Sequence, residues 1–454
     1  MSKTVCLDEI PYSPDSCEKF ERIRDLPRAA LFDSSYPHAT SGRYDILTAQ
    51  PWSTDLPSLA AGASEAECLE FFDRLGRFHQ EYYAGIQPAS QDIPFCGGIL
   101  GYLGYDCGNA LHGIALQQPL HFPLVQLCAY DWCVIQDHLL SRAVLVTQPR
   151  VSAAQRRDIL ARLRQPVAAK TANFRLHKPF ASNFATEDYQ AAFEKIQAYI
   201  QAGDCYQVNL AQRFSAPYAG DPWHVYRELR SKAAAPFSAY LCMEDDGVLM
   251  SLSPERFISL HGCHVETSPI KGTRPRYQDR RADELAAAEL RASEKDRAEN
   301  LMIVDLLRND LGRSCVPGSI HVDRLFEVQS FPTVHHLVST ISGELQSNRG
   351  PSDLLRDSFP GGSITGAPKR RAMEIIAELE PHTRQAYCGS MLYISADGRM
   401  DSNIAIRTMV CDQSQVRCWA GGGIVADSQW QMEYQETYDK VGKFLSVMES
   451  FGND

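Results

Sequence analysis

Residues 247–272 read GVLMSLSPERFISLHGCHVETSPIKG. Val, Leu, Ile and Phe gather in two runs on either side of His261-Gly262, and a Gly-containing turn between β-prone runs signals an antiparallel hairpin. The stretch ends on Lys271, set between an apolar pair and a Gly-Thr turn where a strand should finish. Lys271 is either a solvated surface charge or an amine aimed into a pocket.

The same signals extend outward. Thr186 is a plausible N-cap for a helix that runs to Ala202 and stops at Gly203. YQVNLAQRF (206–214) reads as a strand, and one long helix is expected from Asp283 to Asn309, ending near Gly312. YCGSMLYIS, SNIAIRTMVCD and QVRCWAGGGIV are expected to form a three-strand meander, with Asp397-Gly398 as one turn. The final helix spans about Gln429 to Met448. Strands in hairpins and helices in separate runs predict an α+β fold, not a doubly wound parallel sheet. Residues 1–150 read as short strands with Gly-rich turns and one acidic helix. Residues 151–185 read as a polar, basic linker with partly helical spacing, and residues 186–454 carry the sharper signals.

Composition narrows the function. Hydrophobic content of 44% and charged content of 22% are those of a globular chain. The net charge of -11 argues against bulk nucleic-acid binding, which needs a basic footprint. No secretory signal or membrane-length apolar run is seen, so a cytoplasmic location is expected. The 14 cysteines are scattered and never form a Cys-x-x-Cys pair; reduced core thiols are expected rather than a redox or zinc centre.

Two carboxylate pairs stand out. Asp296 and Glu299 share a helix face at i,i+3, and Glu433 and Glu436 repeat the spacing with Lys440 four residues beyond Glu436. If the two helices face each other, the four carboxylates suit a hard cation such as Mg²⁺. The plainer alternative is a solvated face with an ordinary Glu436–Lys440 surface pair. Against it, AENLMIVDLL is too apolar around Glu299 for a free surface helix. SFPGGSITGAPKRRAM (358–373) resembles a phosphate loop, but it lacks Gly-Lys-Ser/Thr, and Pro368 has no N–H to offer. The Thr365-Gly366 turn before that helix suits an organic anion better than a nucleotide. Arg407, read as mid-strand in IAIRTMV, is paired with an acid or aimed at a ligand anion. The AGGGIV backbone (420–425) invites close approach or is a plain turn. His335-His336 and Glu255 are acid–base candidates or structural residues.

Taken together, these motifs resemble the chorismate-utilising enzymes, which include anthranilate synthase component I and the isochorismate and salicylate synthases. GDCYQVNLAQRF, SPERF, PIKGTRPR, DRAENLMIVDLLRND, VHHLVST, GGSITGAPKRRAMEII, IRT, AGGGIVADS and EYQET occur in that family's order. The resemblance implies large antiparallel sheets packed as a sandwich with helices outside, and N- and C-terminal parts interleaved. Within the family it is closest to the members that form 4-amino-4-deoxychorismate, which carry lysine where anthranilate synthases carry a small residue in Pro-Ile-x-Gly-Thr. Gln207 stands where the water-adding members place a catalytic lysine, so that chemistry lacks its base.

The resemblance further implies Mg²⁺ as cofactor, with Glu299 and Glu433 as direct ligands and Asp296 and Glu436 acting through water. It implies Lys271, Glu255 and His336 as catalytic residues. Gln207, Thr273, Thr365, Gly366, Tyr393, Arg407, Gly421, Gly422, Gly423 and Lys440 would contact chorismate. With no glutaminase motif in the chain, a separate glutaminase subunit is the implied partner and ammonia source. An anthranilate-forming enzyme is the nearest alternative, and a nucleotide-binding regulatory module is the alternative of another class. Finally, LFDSS (31–35), SGRY (41–44) and PFSAY (236–240) stand where anthranilate synthases hold a tryptophan effector. That implies a tryptophan site of Ser34, Ser41, Gly42, Arg43, Tyr44, Pro236, Phe237 and Ser238. Asp33 and Phe237 depart from the family's pattern there.

Overall fold

The computed structural model describes residues 4–39, 42–166, 173–332, 334–412 and 414–451. The opening stretch forms not two strands but three and the start of a fourth: Val248–Ser253, Arg256–His261, His264–Thr267 and Ile270–Pro275. The expected turn is present, with His261 opposite His264. The first apolar run, however, breaks at Pro254-Glu255. Pro254 has no N–H for a ladder, so the chain leaves one sheet there and enters another. Val248–Ser253 lies between Phe237–Cys242 and Thr408–Cys411 in the larger sheet. Arg256–His261 pairs with His264–Thr267 and Met400–Asn403 in the smaller one.

The expected three-strand meander is corrected in the same way. Ser390–Ser395 and Met400–Asn403 pair in the smaller sheet, whereas Thr408–Cys411 and Gln415–Ile424 pair in the larger. The chain crosses between sheets over Ile404–Arg407. Its backbone groups there bond to neighbouring crossings instead of a regular ladder: Ile404 N–H to the Glu255 carbonyl at 3.0 Å, Ala405 N–H to Gly389 at 2.9 Å. Arg407 is therefore not mid-strand but on this crossing, with φ +52.

The architecture is α+β, with a 13-stranded and a 9-stranded sheet among the described residues. Every named strand pair is antiparallel. Ile46, Ile135 and Val144 of the larger sheet and Ile99, Leu100 and Met391 of the smaller share one apolar core, a sandwich. On its other face the larger sheet packs beneath Trp223, Tyr226 and Leu229 of one helix and Val441, Phe444 and Met448 of the last. The N-terminal strands are built into both sheets: Ala30–Asp33 pairs with Phe237–Cys242, and Gly98–Leu103 with Ser390–Ser395. Among the described residues no helix is long and apolar enough to cross a membrane. Among the described residues none of the 14 cysteines is in a disulfide, and most are buried.

Two helix expectations shift. The long helix is two, Arg280–Ala292 and Glu294–Leu311, because Ser293 ends one and caps the next by accepting the Asp296 N–H. Thr186 is the first helical residue rather than the cap, and its hydroxyl meets the Tyr434 hydroxyl at 3.2 Å. Within residues 151–185, Ala153–Leu163 forms a helix opened by a Ser152/Gln155 capping box.

One ion pair ties the N-terminal strand Ala30–Asp33 to the helix Pro222–Ala233. Arg230, 2% exposed, donates to both carboxylate oxygens of Asp33 at 2.7 and 2.8 Å, and Tyr226 adds a third bond at 2.8 Å. Removing one partner leaves a buried charge uncompensated. Arg230→Met is expected to lower unfolding free energy by about 3–5 kcal/mol in urea titrations. Asp33→Asn combined with Arg230→Met should recover part of that loss. An Arg230→Met variant with a wild-type midpoint would contradict this.

Candidate active site

Lys271 lies on the strand Ile270–Pro275, an edge of the smaller sheet paired with Val334–Glu344. A bulge separates Lys271 from Thr273, and Gly272 between them has φ +70. A Cβ on Gly272 would sit 2.8 Å from the Asp296 carboxyl carbon, so a side chain there fails on both counts. The Lys271 Nζ donates to the Ser363 carbonyl at 3.2 Å. Burial lowers its pKa; Glu299, Glu255 and Glu436 oppose that shift and Lys440 adds to it.

Glu255 sits on the Pro254-Glu255 crossing and is buried. Burial pushes its carboxyl up to about 7, although the Ser363 side chain, the Lys271 charge and the Ile270 backbone N–H stabilise its ionised form. Ser363 thus joins the pair, its side chain on Glu255 and its carbonyl on Lys271. On the neighbouring strand, Thr273 Oγ1 lies 2.9 Å from His336 Nδ1. Burial, and then the Arg407 charge, push His336 down to about 4, so its ring is neutral at physiological pH. Burial also lowers the Arg407 pKa. The Arg407 guanidinium has no acidic partner or hydrogen bond among the described residues, which leaves it available to a ligand anion.

The carboxylates come from two helices, Glu294–Leu311 and Trp430–Ser450. Glu299 and Glu433 are both raised, by burial first, with Glu436 adding repulsion to each. Glu433 accepts from Ser428 Oγ at 2.6 Å. Glu436 is instead lowered: its burial is outweighed by the ion pair with Lys440 at 2.6 Å together with the Lys295 and Lys271 charges. Lys440 also donates to the Gly421 carbonyl at 2.9 Å. A Cβ on Gly422 would lie 3.1 Å from Glu433 Oε2, so its backbone faces the carboxylates directly. Asp296 is bound by Arg274 at 3.2 Å.

No three His, Cys, Asp or Glu side chains among the described residues form a closed metal cage. Glu299 and Glu433 nevertheless offer hard oxygens under mutual strain from Glu436. An open set of that kind fits Mg²⁺, which keeps several waters and takes one or two carboxylates together with substrate oxygens.

Behind this group, Gln207 opens the strand Gln207–Ala219 and bonds Asn209 Oδ1 at 3.0 Å; its own Oε1 is buried without a partner among the described residues. Asn209 Nδ2 reaches the Ser363 carbonyl at 3.2 Å. Thr365 is buried, with its hydroxyl donating to the Gly361 carbonyl at 3.1 Å, and Gly366 pairs with Val208. Lys369, which a phosphate loop would need free, is buried against Asp310 at 2.6 Å.

Tyr393 does not join this group. It lines a separate cavity of about 290 Å³ together with Ser34, Gly42, Arg43, Tyr44, Pro236, Phe237 and Ser238. Ser41 lies outside the described residues. The Ser34 hydroxyl is buried there without a hydrogen-bond partner among the described residues. Arg256 stacks over Phe237 at 5.0 Å and is held by Asp401.

The motif reading missed Ser363, Asn209 and Lys295. Ser363 stood inside a motif already singled out, and Lys295 stood four residues before Glu299. Its charge acts on Glu299, Glu433 and Glu436.

The sequence pattern described as chorismate binding enzyme matches residues 31–446. The chain is 45% identical to aminodeoxychorismate synthase component 1 of Klebsiella aerogenes over 451 residues, 97% of this chain and 98% of the relative. It is 46% identical to aminodeoxychorismate synthase component 1 of Escherichia coli (strain K12) over 437 residues, 95% of each. Among solved structures, anthranilate synthase component I from Streptococcus pneumoniae TIGR4 superposes with a TM-score of 0.77 at 29% identity, covering 89% of this chain and 93% of that one. With a match over most of its length, and two chain crossings that carry Glu255 and Arg407 within the sandwich, this chain belongs to the chorismate binding enzyme family.

Proposed function

We propose that this chain forms 4-amino-4-deoxychorismate from chorismate and ammonia, as the first component of a two-subunit aminodeoxychorismate synthase on the route to p-aminobenzoate and folate. The observation that carries the reading is the Lys271 amine, held on the Ser363 carbonyl beside Glu255, with its pKa lowered by burial. An anthranilate-forming enzyme, with a small residue at this position, has no such amine. A separate glutaminase subunit supplies the ammonia. Residues 1–150 act as an accessory region, 151–185 as a linker and 186–454 as the catalytic region.

Chorismate's ring carboxylate lies against Lys440 and the Thr365-Gly366 turn, and its enolpyruvyl carboxylate against Arg407 and the Gly421–Gly423 backbone. The unpartnered Arg407 guanidinium and the bare Gly422 backbone support that orientation. Glu299 and Glu433 would hold Mg²⁺ directly, with Glu436 and Asp296 behind water. When bound, the ion supplies charge neutralisation at the ring carboxylate.

The neutral Lys271 amine attacks C2, both ring double bonds shift by one position toward C4, and the C4–O bond breaks. The departing oxygen takes up a proton and leaves as water; His336, neutral in the free chain, would donate it from its ring N–H. Glu255, titrating near neutrality, takes and returns the proton at the Lys271 nitrogen. Ammonia then bonds to C4, both ring double bonds return to their original positions, and the C2–N bond to Lys271 breaks. Ammonia enters, water leaves, and the enolpyruvyl group is retained.

The second cavity takes an aromatic amino acid of tryptophan's size. Its support is the unpartnered Ser34 hydroxyl among Tyr44, Phe237 and Tyr393.

Incubated with chorismate, Mg²⁺ and ammonium salt, the chain should give 4-amino-4-deoxychorismate by mass spectrometry. Lys271→Ala should lose about a hundredfold or more of that turnover while still binding chorismate. Anthranilate with free pyruvate, or unchanged turnover in the variant, would refute the assignment. The pH–rate profile should show an inflection near 7 from Glu255, absent in the residual activity of Glu255→Gln. An unaltered profile in that variant would remove Glu255 from proton transfer. Tryptophan at millimolar concentration should raise the melting temperature by mass action, and Ser34→Leu should abolish the shift. No shift in the parent protein would sink that occupant.

A further inference from the structure

We infer that Arg384 is a positioning residue for the reaction: a buried guanidinium clamp that holds the backbone at Ile364 and Asn209, beside the Ser363 on which the Lys271 and Glu255 side chains rest. The inference deepens the functional reading above and rests on it for its kinetic arm.

Arg384 is 1% exposed, and its hydrogen bonds join three elements. Nε and Nη2 grip the Glu380 carboxylate at 2.9 and 2.6 Å. Nη1 donates to the Ile364 carbonyl at 2.9 Å, and Nη2 to the Asn209 carbonyl at 2.9 Å. Glu380 in turn accepts the Ala211 N–H at 2.8 Å. Tyr105 presents its ring face to the guanidinium at 4.7 Å, closing the remaining side.

The two carbonyls are significant because of their neighbours. Ile364 lies between Ser363, whose carbonyl receives the Lys271 ammonium, and Thr365, whose carbonyl receives the Asn209 N–H at 2.8 Å. Asn209 binds the same Ser363 carbonyl through its side chain and accepts from Gln207. Arg384 touches none of the reacting groups. It fixes both strands of the floor beneath them from behind, with Glu380 neutralising a charge that could not otherwise be buried. A planar fork serves carboxylate and carbonyls together; an ammonium, as a point charge, cannot reproduce that geometry.

The test compares Arg384→Lys and Glu380→Asp with the parent chain, each corrected for folded fraction by circular dichroism. In the ammonia-dependent assay, Arg384→Lys should lower kcat by about tenfold or more while KM for chorismate stays within about threefold. A role confined to stability would lower the melting temperature and leave kcat per folded molecule unchanged; that result overturns the inference. Should Arg384→Lys not fold, Glu380→Asp, which keeps both charges but shortens the fork, is read by the same criterion. An arm independent of activity follows the rate of Lys271 modification by trinitrobenzenesulfonate, mapped by peptide mass spectrometry. Release of the Ser363 carbonyl should speed Lys271 labelling by about threefold or more, and an unchanged rate counts against the clamp. A parent chain that forms no product sinks the functional reading alone; the labelling rate then decides the clamp.

Discussion

The hydrogen bond from the Ile404 N–H to the Glu255 carbonyl, 3.0 Å long, is the contact on which the rest of the site depends. It joins the two places where the chain passes from one sheet to the other. Ser253 reinforces it by donating its hydroxyl to the Ile404 carbonyl at 2.6 Å. Neither crossing can satisfy its backbone in a regular ladder, so each relies on the other. That mutual dependence holds Glu255 and Arg407 on irregular backbone at the sheet junction. Loop residues fixed by a rigid scaffold are where binding and catalytic groups concentrate.

The charges set in this frame do not balance evenly. Lys440 sits directly on Glu436 and lowers it, while Glu299 and Glu433 remain raised under burial, with Glu436 adding repulsion to each. The carboxylate side of the site therefore still favours an added cation. The same carboxylates work against loss of the Lys271 proton. A divalent cation that neutralises them would take away that opposition and push the lysine further toward its free amine. Glu299, Glu436 and Lys271 are thus coupled through field rather than contact.

Much of this was legible in sequence, and the failures have a common cause. The motifs named Lys271, Glu255, the carboxylate pairs and Arg407, because each places a charged residue where an apolar pattern leaves it unexplained. The strand runs around Pro254 and Ile404 read as continuous, because periodicity records alternation and not which sheet a strand joins. Arg407 was therefore expected mid-strand. Ser293 split a helix because a side-chain cap outcompeted a strong helical pattern. Tyr393 was grouped with Arg407 from its place in a motif, yet strand alternation turns it toward Phe32 and Phe95 and the second cavity. Ser363 escaped notice because its part in the site is played as much by its carbonyl as by its side chain, and any residue type has a carbonyl.

The second cavity is bound to the active site by the same construction. Asp401, Ser402 and Asn403 line it, and the next residue, Ile404, begins the crossing that carries Arg407. Asn403 itself accepts the Met391 N–H at 2.9 Å and donates to the Phe237 carbonyl at 2.8 Å, tying cavity wall to sheet junction. On the other side, Asp33 turns its carboxylate from the cavity wall to Arg230, anchoring the N-terminal strand. The N-terminal strands therefore serve as more than a cover for an independent catalytic half. They complete the sheet whose partner strands feed both crossings, and the geometry around Lys271 depends on their being in place.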